Sequence, residues 1–186
     1  MAKKILARLF LGIMGWKVKV PANADFRRCV MLAAPHTSNW DYPFAQAAGW
    51  ILNIRWRYFI KDSYTKNPFF GWIFRATGAI GVNRSKKGKL VQFAIAEFAR
   101  RKELVVLVPA EGTRKRVDKW HTGFYHIALG ANVPIALGFM NYAKKETGVL
   151  AVFTPTGDFE KDMTFIQESY RDIAPKYPED YNPNIF

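Results

Sequence analysis

Short apolar runs punctuate the chain at residues 29–34, 56–60, 79–82, 104–108, 134–139 and 149–153. None alternates apolar with polar positions, so each predicts a strand covered on both faces. Between them, apolar positions recur at helical spacing over 40–52, 90–102, 123–129 and 163–173. In the clearest of these, Ala94, Ile95 and Phe98 fall on one side and Arg100, Arg101 and Lys102 close the last turn. Strands and helices in alternation predict a single α/β domain, with a mainly parallel or mixed sheet flanked by helices. Residues 122–143 lack Lys, Arg, Asp and Glu, but Gly130, Asn132 and Pro134 divide them. They predict helix, turn and buried strand, not a membrane span. Residues 177–183, with two prolines, predict a loop.

The first twenty residues follow a different pattern. Ile5, Leu6, Leu9, Phe10, Ile13 and Trp16 fall near helical spacing, with Lys3, Lys4 and Arg8 displaced from them. That is the pattern of an amphipathic helix lying in a membrane interface beside anionic lipid. A helix packed on the protein's own core fits the same residues, and the two are compatible. The apolar stretch 9–16 is far short of the roughly twenty residues a transmembrane helix needs. Lys3 and Lys4 before an apolar run imitate a signal peptide, but Arg8 interrupts that run and Lys17 and Lys19 follow it. The expected organisation is an interface helix at 1–20 and one domain at 21–186.

Charge sharpens the question of partners. The 186 residues carry 28 Lys and Arg against 15 Asp and Glu, a net +13, while 49% of positions are hydrophobic. That apolar fraction excludes a disordered basic tail. Residues 1–140 hold 23 basic and 7 acidic side chains, and residues 141–186 hold 5 and 8. A basic N-terminal three quarters suits nucleic acid, an anionic membrane or a phosphorylated substrate, or else a merely solvated face. The single cysteine, Cys29, excludes an internal disulfide, and its apolar surroundings predict a small core residue.

Nucleotide-binding glycine fingerprints and the serine-hydrolase elbow are absent. His121 and His126 are five apart, which does not set them on one helical face, and no metal site is expected. What remains is Pro35-His36-Thr37-Ser38-Asn39-Trp40-Asp41, directly after the first apolar run. His36 falls at the carboxyl end of a strand, where ligands of open α/β sheets collect. Imidazole exchanges protons near neutral pH, and Asp41 could fix one ring nitrogen while the other faces substrate. The same residues also read as a capping box, with Asp41 only satisfying the helix start. A second polar segment, Glu111-Gly112-Thr113-Arg114, follows the fourth run, and Asn83-Arg84 follows the third. Gly112 would permit close backbone approach, and the guanidiniums of Arg84 and Arg114 suit phosphate. Each arginine could equally be a solvated surface charge.

The ordered set His36-x-x-x-x-Asp41, residues 78–84, Glu111-Gly112-Thr113-Arg114 and Val133-Pro134-Ile135 resembles the glycerolipid acyltransferases, the lysophosphatidic acid acyltransferase-like group. This chain has Pro109-Ala110 where that family has Pro directly before Glu-Gly-Thr-Arg, and Asn83 where it has Asp. The spacer Thr37–Trp40 and Trp120-x-x-Gly123-Phe124-Tyr125 are similar to a bacterial subgroup. The resemblance implies transfer of a fatty acyl group from acyl-CoA or acyl-carrier protein to a glycerolipid hydroxyl, such as that of 1-acylglycerol 3-phosphate. Another lysolipid or an amino-acid lipid is an alternative acceptor. It implies His36 and Asp41 as base and orienter, with no acyl-enzyme, and Asn83, Arg84, Glu111, Gly112, Thr113 and Arg114 around the acceptor phosphate. It implies no metal or redox cofactor, and a peripheral place on the cytoplasmic face of the cell membrane. A basic RNA- or lipid-binding module without catalysis is the alternative of a different class, and nucleic acid is not an expected partner.

Overall fold

A computed structural model describes residues 1–22, 24–82 and 89–186. Among the described residues, seven strands form one sheet: β1 (Lys17–Lys19), β2 (Arg28–Ala34), β3 (Trp56–Lys61), β4 (Ala79–Val82), β5 (Leu104–Val108), β6 (Ile135–Asn141) and β7 (Glu146–Phe153). Their spatial order is β1-β7-β6-β2-β5-β3-β4. β2 to β6 all run parallel, β7 turns back antiparallel to β6, and β1 pairs parallel with β7. The sheet is therefore mixed and mostly parallel, as the apolar runs require, and β2 stands at its centre. Only β1, three residues long, carries no apolar run by which the sequence could reveal it.

Helices cover both faces. Val30, Leu32 and Ala34 of β2 enter one core with Ala94 and Phe98 of α5 (Lys89–Arg100), Phe124 and Ala128 of α6 (Gly123–Ala131), and Met163 and Ile166 of α7 (Phe159–Tyr170). Cys29 and Met31, pointing the other way, join Trp56, Val105 and Val149 beneath α2 (Asp41–Leu52). Period-two burial with apolar residues on both sides explains why no alternation is written in β2. α7 begins four residues before its expected start, because Asp158 caps it by accepting from the backbone N–H of Lys161 at 3.1 Å. The 177–183 loop holds one 3-10 turn, at Pro178–Asp180.

α1 (Ala2–Ile13) lies against α2, burying Ala7 and Leu11, while Ile5, Leu6, Leu9 and Ile13 remain exposed. Trp16 departs from its expected place on the apolar face. The helix stops at Ile13, Gly15 turns the chain at φ 73°, and the indole stacks on Phe44 at 4.2 Å. The β3–β4 connection folds into two short helices, α3 (Asp62–Thr65) and α4 (Gly71–Ala76), which the periodicity does not reveal.

Candidate active site

The carboxyl ends of the parallel strands form one rim. The chain leaves β2 through the cis Ala34–Pro35 peptide and places His36 at that rim. His36 Nδ1 lies 3.0 Å from Asp41 Oδ2, at the first residue of α2. The same Asp41 oxygen accepts the backbone N–H of Ser38 at 3.0 Å, and Oδ1 accepts the Tyr142 hydroxyl at 2.7 Å. Asp41 is almost fully buried, so each donor replaces water that its charge has lost. Nε2 of His36 carries no hydrogen bond among the described residues, and the ring is partly exposed.

Both sequence readings of Asp41 thus have a physical counterpart. It holds the imidazole, and it also takes the Ser38 N–H as the acid of a capping box would. The reciprocal half is missing: Ser38 Oγ accepts from Trp40 N at 3.1 Å instead.

β5 lies next to β2, which brings Glu111 to His36. The buried carboxylate accepts the His36 backbone N–H through both oxygens, at 3.0 and 3.2 Å. Burial pushes its pKa up from 4.5 to about 7, against the lowering effect of that N–H and of the His36 charge. Gly112 has φ 69°, and a Cβ there would stand 2.8 Å from the His121 ring, so this turn requires glycine. His121 itself is tied to the loop by its N–H to Ala110 O at 2.9 Å. Thr113 Oγ1 accepts from Lys115 N at 3.3 Å.

The three consecutive basic residues of this loop have different fates. Lys115 pairs with Asp180 at 3.2 Å, and Arg116 donates to the carbonyl of Tyr181. Arg114 is exposed and makes no hydrogen bond or ion pair among the described residues. Asn83 and Arg84, and the basic residues Lys86 and Lys87 after them, lie outside the described residues. β4, which ends just before them, is on the same rim, with β3 and β5 between it and β2.

Tyr142 is the site residue that sequence reasoning missed. It follows the end of β6, and only the adjacency of β6 to β2 carries its hydroxyl to Asp41.

A profile of the acyltransferase family matches residues 17–136, well over half of the chain and all of the rim segments described above except Tyr142. The chain belongs to the acyltransferase family. Its fold is similar to that of the 1-acyl-sn-glycerophosphate (LPA) acyltransferase PlsC from Thermotoga maritima. The TM-score is 0.62 at 15% identity, over 91% of this chain and 76% of that one. No curated protein matches the chain.

Proposed function

We propose that this acyltransferase moves a fatty acyl group from a thioester, acyl-CoA or acyl-carrier protein, to the hydroxyl of a phosphate-bearing glycerolipid such as 1-acylglycerol 3-phosphate. The observation that carries the reading is the His36–Asp41–Tyr142 chain of hydrogen bonds, which leaves Nε2 as the one ring nitrogen free to meet substrate. Nε2 takes the proton of the acceptor hydroxyl as its oxygen attacks the thioester carbonyl. Asp41 keeps the other proton on Nδ1 and stabilises the imidazolium. When the tetrahedral intermediate collapses, the C–S bond breaks and the departing thiolate regains the proton from Nε2. The hydroxyl oxygen attacks directly, so no acyl-enzyme forms. Cys29, fully buried in β2 with burial pushing its thiol up to about 12, stands outside this chemistry.

Arg114, without a partner among the described residues, binds the acceptor phosphate, and Asn83 and Arg84, which follow β4 in sequence, contribute to the same binding. Glu111 fixes the backbone of His36, and Gly112 and Thr113 shape the turn. The acceptor's home is an anionic bilayer, which suits a charge of +13 and the exposed apolar side of α1. No helix among the described residues is long and apolar enough to cross a membrane. We propose a peripheral location on the cytoplasmic face of the cell membrane, where the anionic bilayer meets the exposed side of α1.

The test is purified protein given labelled acyl-CoA or acyl-carrier protein with a panel of acceptors, read by product mass. Glycerol 3-phosphate, 1-acylglycerol 3-phosphate, a neutral lysolipid and an amino-acid lipid form the panel. An acylated phosphate-bearing glycerolipid is expected; acylation of only the phosphate-free acceptors overturns the assignment.

A further inference from the structure

We infer that the β3–β4 connection is a second membrane-inserting arm, independent of α1, that meets an anionic bilayer at the opposite end of the rim. The inference rests on the proposal that the acceptor is a membrane lipid. Phe69, Phe70 and Trp72 are 77%, 60% and 61% exposed, and Ile73 is 41% exposed. Neither phenyl ring nor the indole makes a ring contact among the described residues, although large aromatics left in water forgo the gain of burial. Isolated exposed hydrophobes need no explanation, but four within five residues form a patch.

The patch is held out by a built scaffold. Asn67 Oδ1 accepts the backbone N–H groups of Phe69 and Phe70 at 2.9 and 3.0 Å. Gly71 is buried against the Thr65 carbonyl, where a Cβ would stand 2.5 Å from the oxygen, and Arg75 donates to that same carbonyl. Thr65 in turn sits on Gly81 of β4, again in space that only glycine leaves. An arm pinned to the sheet at its base, with phenyl and indole rings at its tip, has the composition of a membrane-interface anchor.

Position and charge select the bilayer as its occupant. α3 and α4 leave the carboxyl end of β3, on the same rim as His36. The end of α1 reaches that rim at the other side of the sheet, where Lys17 N bonds Lys145 O in the β6–β7 turn at 2.9 Å. Ile13, 84% exposed, marks that side, and β2 with His36 stands between the two apolar patches. Exposed Trp40 and Tyr177 lie along the middle, with Lys176 Nζ 5.3 and 5.5 Å from their ring centres. Lys61 stands on an exposed position beside the arm and offers a cation to lipid phosphates, while Lys66 and Arg75, also exposed, are engaged with Asp62 at 2.8 Å and with the Thr65 carbonyl. Two apolar contacts separated by most of the sheet's width would fix the protein's tilt as well as its attachment, and would hold the rim against the lipid surface.

An introduced thiol tests this without disturbing the core. Cys29 is fully buried, so a maleimide dye sensitive to polarity, added to the folded protein, reports only the new position. Three variants carry it: Phe70→Cys on the arm, Leu9→Cys on α1 and Arg55→Cys directly before β3, at the amino-terminal end of the strands, away from the rim. With vesicles of phosphatidylglycerol and phosphatidylcholine, the dye at 70 should shift to the blue and be quenched by brominated acyl chains, while that at 55 should not respond. The triple variant Phe69→Ser, Phe70→Ser, Trp72→Ser should lose roughly tenfold or more in vesicle affinity with an unchanged melting temperature, the equivalent of one large apolar side chain left unburied. If the dye at 9 enters lipid while that at 70 stays in water, α1 acts alone and the inference is overturned. It is equally overturned if position 70 is already shielded before vesicles are added, because another part of the chain or a second copy then covers the patch. If no acceptor is acylated but position 70 still enters lipid, the reaction assignment fails and the arm stands.

Discussion

The two halves of the rim are built on opposite principles. Around Asp41, three donors converge on one buried carboxylate, and nothing is left over except the outward nitrogen of His36. In the neighbouring loop, Glu111 is buried and bonded, but Gly112, Thr113 and Arg114 face solvent and Arg114 has no partner among the described residues. A proton-transfer group must be oriented before substrate arrives, because its hydrogen bonds set which nitrogen is free. A phosphate clamp gains more by staying open, since the ligand brings the compensating charge. Preorganisation on one side and an unfilled cation on the other is the division of labour expected of base and binding group.

The hardest way to break that contrast is to remove the proposed base. His36→Ala should lower kcat by about a thousandfold or more, in the range general bases contribute. The melting temperature should hardly move, because the ring is partly exposed and Asp41 keeps its bonds to Ser38 and Tyr142. Near-native turnover in a folded variant would remove His36 from the mechanism.

Glu111 offers the next largest effect, and it is read in stability. Burial raises its pKa from 4.5 to about 7, so the folded protein holds this proton more tightly than the unfolded chain does. Its contribution to stability is fully present below pH 4.5 and is lost as pH rises toward about 7, some 3 kcal/mol at about 1.4 per unit. Glu111→Gln keeps an acceptor for the His36 N–H but cannot ionise. Chemical denaturation of both proteins at pH 5 and pH 8 should show the wild type losing stability relative to the variant. Parallel pH profiles would mean that the carboxyl titrates normally.

Arg114→Ala should act on the other half alone. Loss of a charge-assisted contact of about 2 kcal/mol predicts a rise of roughly thirtyfold in the acceptor KM, with kcat and stability nearly unchanged. A pure kcat defect would show that Arg114 serves the transition state and would blur the contrast between the two halves.

How much of this was legible beforehand follows the range of each interaction. The six apolar runs became β2 to β7, because burial on both faces is written locally in composition. His36 and Asp41 are five residues apart, and the turn between strand and helix brings them together within one local segment. Glu111 was visible as a candidate, but its grip on the His36 backbone depends on β5 being the neighbour of β2. β1 and Tyr142 were invisible for the same reason: three residues pairing with β7, and one hydroxyl reaching across 101 positions, are products of strand order. Trp16 was misplaced because helical spacing continues past Ile13 in the sequence while Gly15 turns the chain. The α3–α4 arm escaped because its aromatics face water, the reverse of the rule by which apolar runs are read as core.

The finest test concerns a ring that links the site to the packing of α1 on α2. Tyr142 donates to Asp41 and packs edge-on against Trp16 at 5.0 Å and Phe44 at 6.2 Å, so the anchor of α1 touches the residue that steadies the orienter. Burial and the Asp41 charge hold its own hydroxyl protonated at any ordinary pH, which fixes it as a donor. Tyr142→Phe keeps the ring and removes only that hydrogen. Asp41 still holds His36 and the Ser38 N–H, so the expected loss is small, about 1 kcal/mol or fivefold in kcat. Where the loss falls matters more than its size. Tyr142 touches the orienter and not the substrate, so the change should appear in kcat and leave the acceptor KM unchanged. Tyr142→Leu, which also unpacks Trp16, should lower the melting temperature as well. If Tyr142→Phe leaves kcat at the wild-type value while Tyr142→Leu lowers it, Tyr142 acts through packing and Asp41 needs only its two local donors.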